Sequence, residues 1–475
     1  MLLLASVALR GVAKGALLTS LFVVLFFSYG RGFEWVWGLE IVPTSRALHA
    51  ALSGTCAAVF GVGALALVRT RRDLGEVSRG LTRFAAILVL WSAGTLAWEI
   101  ASAPASKRVG PAASLASNRP PAILKETADK PDIYYIVMDG YARADVLQEV
   151  YHFDNVAFIA FLRSRGFFVA EHGRSNYPVT HLSLASTLSM RYLEKEEVLA
   201  KRSRSRIMYK LIGNNAAARF LQGIGYRYVH FNTNYGGTEK SKVADIHYSY
   251  RSPLLQTELM SVLLRTTMLR PLEPSVAHLD LYMMEKITEV PAIEGPTFTF
   301  LHLLLPHNPY VFDRDGNIRA DVPLTLQFEE RTGGWKGKKE YLGQLTYLNH
   351  RMEGIIDSIL AKSITPPIII LQSDHGTASQ YGKKMSAARK LKFYHERTAN
   401  FNAWYAPEQV RSGLTDDMVP VNTFRTLFRQ LFGADLPPLE KRIYTAWYRY
   451  NSKFAEITDL LDVPPVDPSG GVLAP

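Results

Sequence analysis

The chain has 475 residues, of which 48% are hydrophobic and 20% charged, and its net charge at pH 7 is +11. This composition excludes a disordered or collagen-like protein and indicates segments that lie in a membrane. The one cysteine, Cys56, lies in an apolar stretch. A disulfide scaffold, a cysteine-ligated zinc site and a cysteine nucleophile in the soluble region are therefore excluded. The positive net charge could favour binding to nucleic acid. The sequence has no basic arm and no zinc-finger spacing, so we expect no nucleic-acid partner.

Residues 1–105 are predicted to be a transmembrane region with helices at about residues 11–30, 47–68 and 84–102. Each run approaches the ~20 apolar residues that cross a bilayer. A signal peptide or buried core helices are the alternative. Basic residues follow the second run and predict a cytoplasmic loop, namely Arg69, Arg71, Arg72, Arg79 and Arg83. Three crossings then place the rest of the chain outside. The apolar opening of the chain leaves open whether further helices precede it.

Residues 106–129, rich in alanine, serine and proline, are predicted to be a linker, and the proline- and glycine-rich residues 463–475 a disordered tail. Between them, residues 130–462 alternate apolar strands with amphipathic helices. This alternation predicts an α/β domain with a largely parallel sheet. We expect strands at 133–138, 297–305 and 367–372, and helices at 155–165, 182–190, 339–361 and 421–432.

Each of the three strands runs into polar residues, which are Asp139, His307 and the pair Asp374 and His375. Ligands of open α/β sheets bind beyond the carboxyl ends of the strands. Adjacent aspartate and histidine can reach one cation, because Gly376 lets the chain turn. A carboxylate with an imidazole suits Zn²⁺ or Mn²⁺. The alternative is a polar turn that only ends the strand.

Thr180 is predicted at the start of a helix, where amide groups and the helix dipole favour an anion. A threonine oxygen on a metal loses its proton more easily and becomes a nucleophile. An ordinary helix N-cap is the alternative. His307 could bind a phosphate oxygen or protonate a leaving group. His302, inside an apolar run, is expected to be a core histidine.

The order of these motifs is characteristic. A strand ending in Asp139 is followed by Thr180, then by Pro306-His307-Asn308-Pro309-Tyr310, then by the helix led by Tyr341, and last by Ser373-Asp374-His375-Gly376. Residues 130–435 thus resemble the sulfatase-like branch of the alkaline phosphatase superfamily. They are most similar to its membrane-anchored phosphoethanolamine and phosphoglycerol transferases, including lipoteichoic acid synthase. The resemblance implies an alkaline-phosphatase/sulfatase-like α/β fold, a central mostly parallel sheet flanked by helices.

The resemblance also implies one divalent metal ion, Zn²⁺ or Mn²⁺ with Mg²⁺ possible, held by Asp139, Thr180, Asp374 and His375. Thr180 would attack a membrane phospholipid head group, release diacylglycerol and pass the phospho group to an envelope glycan or lipid. His307 would contact the head group. Such enzymes are multi-pass proteins of the bacterial inner (plasma) membrane with a periplasmic or extracellular catalytic domain. The first acid is Asp139, where the closer transferases have glutamate.

Two further functions stay open. A metal-dependent phosphatase, phosphodiesterase or sulfuric-ester-type hydrolase would need extra ligands, for which the candidates are Asp313, Asp315, His350 and His395. Sulfate hydrolysis by the formylglycine route is disfavoured, because the Cys/Ser-x-Pro-x-Arg pattern is absent. A non-catalytic membrane-anchored scaffold is the other alternative.

Two basic features have no assigned chemistry. The run Lys383, Lys384, Arg389, Lys390 and Lys392 is expected to be a solvated helix face, with contact to anionic lipid as the alternative. Arg397 is expected to brace a strand that returns to the sheet.

Overall fold

The computed structural model describes residues 1–37, 45–102, 130–199, 204–233, 235–250, 258–272, 276–319, 337–379, 381, 385–445 and 454–461. These residues form two compact units. The helical unit contains the described residues up to 102 together with 258–272, and the α/β unit contains the others. The predicted linker (106–129) and tail (463–475) lie outside the described residues.

In chain order the helices are α1 Leu2–Ala8, α2 Val12–Trp37, α3 Ser45–Arg69, α4 Gly75–Ser102, α5 Ala144–Tyr151, α6 Val156–Ser164, α7 Thr180–Ser189, α8 Lys195–Leu199, α9 Arg204–Gly213, α10 Ala216–Gly223, α11 Glu258–Thr266, α12 Val276–Lys286, α13 Lys338–Lys362, α14 Ala387–Thr398, α15 Glu408–Arg411, α16 Thr423–Phe432 and α17 Thr458–Leu461. The strands are β1 Ile133–Met138, β2 Phe168–Val169, β3 Arg227–Asn232, β4 Ile246–Ser249, β5 Thr297–Leu303, β6 Ile368–Gln372, β7 Asn402–Tyr405, β8 Tyr444–Thr445 and β9 Ala455–Glu456.

In the helical unit, α2 and α3 form an antiparallel hairpin. The ammonium group of Lys14, near the start of α2, donates to the carbonyl of Thr70, which follows α3. At the other end, the hydroxyl of Tyr29 lies 3.0 Å from Nδ1 of His49. Two segments of the described chain are long and apolar enough to cross a membrane, Val12–Val36 and Ala47–Arg69. The third predicted run lies in α4, which begins at Gly75 and exposes apolar side chains such as Trp91.

The α/β unit is built on a seven-stranded sheet of order β2-β7-β6-β1-β5-β3-β4. β1 is parallel to both of its neighbours, β5 and β6, and β3 is parallel to β4 and β5. β7 runs antiparallel to β6 and to β2. All six residues of β1 are buried, as expected for a strand in the middle of a parallel sheet that is covered on both faces. The predicted α/β class, with its mostly parallel sheet flanked by helices, is confirmed.

The register of the central strands determines where the site forms. Val137 of β1 pairs with His302 of β5 on one side and with Gln372 of β6 on the other. The three predicted strands are therefore adjacent, in the order β6, β1, β5, and their carboxyl ends reach the same edge of the sheet. Residues that follow these strands meet at this edge, although they are far apart in the sequence.

A buried acid on α12 generates a prediction about stability. Burial raises the pKa of Asp280 to about 8. In the unfolded chain this carboxyl has its lower ordinary pKa, so between the two values only the unfolded chain gives up the proton. The free energy of unfolding therefore falls as the pH rises through this window.

We expect Asp280→Asn to unfold at a higher temperature than the wild type at about pH 8, and the difference to shrink at about pH 5. Thermal unfolding of the detergent-purified chain at both pH values measures this difference. Asp435→Asn, at an exposed position, is the matched control. A difference for Asp280→Asn that does not grow with pH would contradict the prediction.

Candidate functional site

The site lies at the carboxyl edge of β6, β1 and β5. Asp139 comes directly after β1, and Asp374 and His375 follow β6 after one residue. All three side chains are buried. Gly140 has a φ of +67°, and its N–H donates to the carboxylate of Asp374 at 3.0 Å. The turn after β1 thus joins the two acidic strand ends.

A group of three potential metal ligands lies at this edge, formed by Asp139, Asp374 and His302. One ligand atom from each lies within 4.8 Å of the others. Three buried atoms here have no hydrogen-bond partner, namely Oδ1 of Asp139, Oδ2 of Asp374 and Nε2 of His302. Buried polar atoms are normally satisfied, so three such atoms at one point fit a cation. Carboxylate oxygens and an imidazole nitrogen suit a divalent ion.

His302 is buried, as expected for a core histidine, but it also belongs to the group of potential metal ligands. The ring is buried, with 1% of its surface exposed, but Nε2 lies 3.4 Å from Oδ2 of Asp139. Nδ1 lies 3.1 Å from the hydroxyl of Thr238, which fixes the ring. The sequence signal that could have revealed this role is a polar residue in an otherwise apolar strand, close to the strand's carboxyl end.

The negative charge of one carboxylate affects the pKa of the other. Burial, together with the negative charge of Asp139, raises the pKa of Asp374 to about 6. Burial also acts to raise the pKa of Asp139, but His307, His302 and His375 outweigh it and hold the pKa well below its ordinary value. A divalent cation beside both groups would relieve their mutual repulsion.

Thr180 is the first residue of α7, and the N-cap is Val179. Only 2% of the Thr180 surface is exposed. Its Oγ1 lies 3.1 Å from Nε2 of His375, while Nδ1 of His375 lies 3.0 Å from the carbonyl of Gly376. A carbonyl only accepts, so Nδ1 carries the hydrogen and Nε2 is the acceptor of the ring. The side chain thus faces the acidic strand ends and does not cap its own helix.

Nε2 of His375 also lies 3.2 Å from Oδ2 of Asp374 and 3.8 Å from Oδ1 of Asp139. All four predicted metal-site residues therefore lie around one point. Burial, with the positive charge of Arg397, holds the pKa of His375 well below its ordinary value, so the ring is neutral. A neutral imidazole is the form that can accept a hydrogen bond or bind a metal.

Arg397 belongs to the site and does more than brace a strand. It is buried on α14, and one guanidinium nitrogen lies 3.1 Å from Nε2 of His375. The same group donates to the carbonyl of Pro178 at 2.7 Å and to the carbonyl of Gly376 at 3.0 Å. Arg397 thus connects the segment before Thr180 to the segment after His375.

His307 lies on the half-buried rim of the site. Its backbone N–H donates to the carbonyl of Asp139 at 3.1 Å, and its ring centre is 6.4 Å from that of His375. Nδ1 lies 2.7 Å from the carbonyl of Asn308, so Nε2 is left for a ligand. The amide of Gln344 on α13 holds this loop through the carbonyls of Pro306 and His307.

The extra ligands considered for a hydrolase are not in the described metal group. The carboxylate of Asp313 accepts hydrogen bonds from its own loop, including the backbone of Asp315. His350 is exposed on α13, and His395 lies in α14 beside Arg143 and Arg174. Of the predicted basic run, the residues Arg389, Lys390 and Lys392 are exposed on α14, and the two lysines before them lie outside the described residues.

A family model described as Sulfatase matches residues 131–408, which is more than half of the chain. The chain belongs to the sulfatase family. The predicted relationship is thereby confirmed, and the chain is an enzyme that transfers or hydrolyses phospho or sulfo groups. No curated protein sequence matches the chain.

Several solved structures are similar to the chain. The C-terminal periplasmic domain of EptC from Escherichia coli is 16% identical, with a TM-score of 0.48 over 72% of this chain and 97% of that chain. Lipooligosaccharide phosphoethanolamine transferase A from Neisseria meningitidis, an integral membrane protein, is 13% identical, with a TM-score of 0.42 over 85% and 79%. The 2-O GAG sulfatase BT1596 is 14% identical, with a TM-score of 0.42 over 67% and 78%.

The ligand group predicts that the purified chain retains about one divalent ion, and that Asp139→Asn and Asp374→Asn lose it because each removes a charged oxygen donor. His302→Gln should hold the ion more weakly during dialysis. Metal content by inductively coupled plasma mass spectrometry measures these losses. Asp313→Asn is the control and should match the wild type. Full metal retention in both aspartate variants would show that the ion binds elsewhere.

Residue 376 must be glycine, because backbone atoms of another segment lie too close to leave room for a Cβ atom. A Cβ at this position would lie 2.2 Å from the carbonyl oxygen of Glu396 and 2.7 Å from that of Ala399. We expect Gly376→Ala to destabilise the α/β unit by ~1–3 kcal/mol, because backbone atoms cannot easily move aside. Gly354→Ala on α13 is the matched control, since its Cβ would contact nothing within 4 Å. It should be neutral or stabilising by about 0.5–1 kcal/mol. Denaturant unfolding compares the two, and equal stabilities would contradict the prediction.

Proposed function

We propose that the chain is a membrane-anchored, metal-dependent transferase that moves a phospho-containing lipid head group, of the phosphoethanolamine or phosphoglycerol type, to a cell-envelope acceptor through Thr180. One observation carries the proposal: the hydroxyl of Thr180, at the start of α7, faces His375 at 3.1 Å beside the two buried carboxylates. Capping does not account for this hydroxyl, because the N-cap position of α7 is Val179.

Asp139, Asp374 and the imidazoles of His302 and His375 would hold the ion, with the oxygen of Thr180 beside it. This mixed oxygen and nitrogen set favours Zn²⁺ or Mn²⁺, with Mg²⁺ the less suited ion. A bound divalent ion lowers the pKa of a hydroxyl beside it and stabilises negative charge on phosphoryl oxygens.

In the first step, Oγ1 of Thr180 attacks the phosphorus of the lipid head group. The hydroxyl proton passes to solvent, the Oγ1–P bond forms, and the P–O bond to diacylglycerol breaks. His307, on the rim and in its imidazolium form, gives its Nε2 proton to the leaving oxygen and becomes neutral. In the second step, the hydroxyl of the acceptor attacks the same phosphorus, its proton passes to Nε2 of His307, the Oγ1–P bond breaks, and Oγ1 of Thr180 takes a proton from solvent. The amide groups at the start of α7 stabilise the phosphoryl oxygens in both steps.

A lipid donor requires a membrane anchor, and the two candidate spans α2 and α3 support one. Arg71 and Arg72 lie in the short connection between α3 and α4, and such loops stay in the cytoplasm. With this orientation, the carboxyl end of α2 faces the outside. We therefore propose a multi-pass protein of the bacterial inner membrane, whose catalytic domain is periplasmic or extracellular.

A cavity of about 510 Å³ beside the His307 loop is our candidate for acceptor binding. It combines apolar and charged side chains, which suits an amphipathic envelope glycan or lipid that carries negative charge. Its lining includes Phe153, Phe312, Leu342, Arg314, Arg319 and Lys339, and also the acids Asp313 and Glu340. Gln344 connects it to the site, because this amide contacts both His307 and Phe312.

The test is the intact mass of the purified chain after incubation with a divalent metal and bacterial phospholipids. We expect a mass increase on the wild type, whose size identifies the transferred group, and none on Thr180→Ala. Thr180→Ser keeps a hydroxyl and is the matched variant, expected to retain part of the adduct. Release of diacylglycerol without an adduct would favour the hydrolase alternative. An adduct that survives in Thr180→Ala would exclude Thr180 as the nucleophile.

A further inference from the structure

A segment from the catalytic part of the sequence belongs to the helical unit. Residues 258–272 lie in the chain between β4 and α12, which are both elements of the α/β unit. Yet these residues, which include α11, group with α2, α3 and α4. The chain therefore returns to the apolar helices about 150 residues after leaving them, in the middle of the catalytic domain sequence.

Arg270 ties this segment to α2. Only 2% of its surface is exposed. Its guanidinium lies over the ring of Phe33, 4.4 Å from the ring centre. One nitrogen is 3.3 Å from the carbonyl oxygen of Gly30 and 3.4 Å from the carboxylate of Glu34. A buried arginine with an aromatic face, a carbonyl and a carboxylate around it makes a directional contact, because the planar group can use all three.

A second contact fixes the direction of the segment. The backbone N–H of Met268 donates to the carbonyl oxygen of Phe26 at 3.0 Å. The contacts on α2 thus run from Phe26 to Glu34, in the carboxyl-terminal half of that helix. The basic connection between α3 and α4 predicts that this half of α2 leads to the outside. The segment therefore contacts α2 on the side of the membrane where the catalytic domain is proposed to lie.

The segment exposes apolar side chains next to this contact. Val262 is 52% exposed and Leu272 is 55% exposed, and Met260 is also exposed. Leu264, on the same helix, is buried. A helix with one buried apolar side chain and further apolar side chains exposed, attached to the carboxyl-terminal half of a helix long enough to span a membrane, matches segments that lie near the membrane–water boundary.

We propose that residues 258–272 form an interfacial segment that inserts Met260, Val262 and Leu272 into the outer leaflet of the lipid bilayer, held at that depth by Arg270 on α2. The occupant of the exposed face is phospholipid, because the segment packs on α2, whose length and hydropathy fit a bilayer. The catalytic domain would then be fixed to the membrane at a second point besides its amino-terminal connection. This inference requires α2 to span the bilayer, and it does not depend on the transfer chemistry.

The test uses the full chain with Cys56→Ser, which removes the one cysteine. Single cysteines at Val262→Cys or Leu272→Cys carry a nitroxide label, and the protein is placed in nanodiscs of phosphatidylethanolamine and phosphatidylglycerol. Electron paramagnetic resonance then compares collisions with oxygen, which concentrates in lipid, and with a water-soluble nickel complex. Val24→Cys, on the exposed side of α2, is the lipid reference, and Ile364→Cys, at a position 98% exposed in the α/β unit, is the water reference.

We expect the ratio of oxygen to nickel collisions at 262 and 272 to lie several-fold above that at 364 and toward that at 24. Arg270→Gln should move positions 262 and 272 toward the water reference and leave position 24 unchanged. Values at 262 and 272 equal to those at 364 would overturn the inference. Protection from both reagents would also overturn it, because protein would then cover the face. A water-like signal at position 24 would show that α2 does not span the bilayer and would remove the basis of the inference.

Discussion

Two buried carboxylates on neighbouring parallel strands are the constraint on which the α/β unit depends. Asp139 and Asp374 follow β1 and β6, whose register brings the two strand ends level. Buried charges cost several kcal/mol each unless partners compensate them. The structure provides part of this compensation, through the N–H of Gly140, and leaves one oxygen of each acid without a hydrogen bond. The negative charge of the two acids is therefore only partly compensated by the protein, and a divalent cation would compensate the rest.

The residues around the acids hold the reacting groups through backbone contacts. Arg397 donates hydrogen bonds to the carbonyls of Pro178 and Gly376. It thereby links the segment that precedes Thr180 to the segment that follows His375. The neighbouring Glu396 is buried and accepts hydrogen bonds from the hydroxyls of Tyr151 and Thr377. Both residues come from α14, which also limits residue 376 to glycine. The position of the Thr180 hydroxyl relative to His375 thus depends on a helix that takes no direct part in the proposed steps.

The features that a local residue pattern encodes could be predicted from the sequence. Apolar strands with acids after them, the start of α7 at Thr180 and the Asp-His-Gly turn each have a local signal, and the structure brings Asp139, Thr180, Asp374 and His375 together. The signal of His302, a polar residue near the end of an apolar strand, was ambiguous, because a histidine there suits a core equally well, and Arg397 had no local signal. The contacts of Arg397 with Pro178 span 219 residues. The attachment of 258–272 to α2 was missed for the same reason, since an amphipathic pattern predicts a helix but not its partner.

In the proposed mechanism, the balance between transfer and hydrolysis depends on whether water or the acceptor hydroxyl reaches the phosphorus on Thr180. Thr180 and His375 are almost completely buried, whereas His307 lies on a half-buried rim. A nucleophile this far from bulk water is shielded from unwanted hydrolysis of its phospho intermediate. An acceptor bound in the cavity beside the His307 loop would instead present its hydroxyl at the open side of the site. Water would compete through its concentration, whereas a bound acceptor would compete through the orientation of its hydroxyl, which can have the larger effect on the rate. Under the proposed function, the burial of Thr180 therefore favours transfer over hydrolysis.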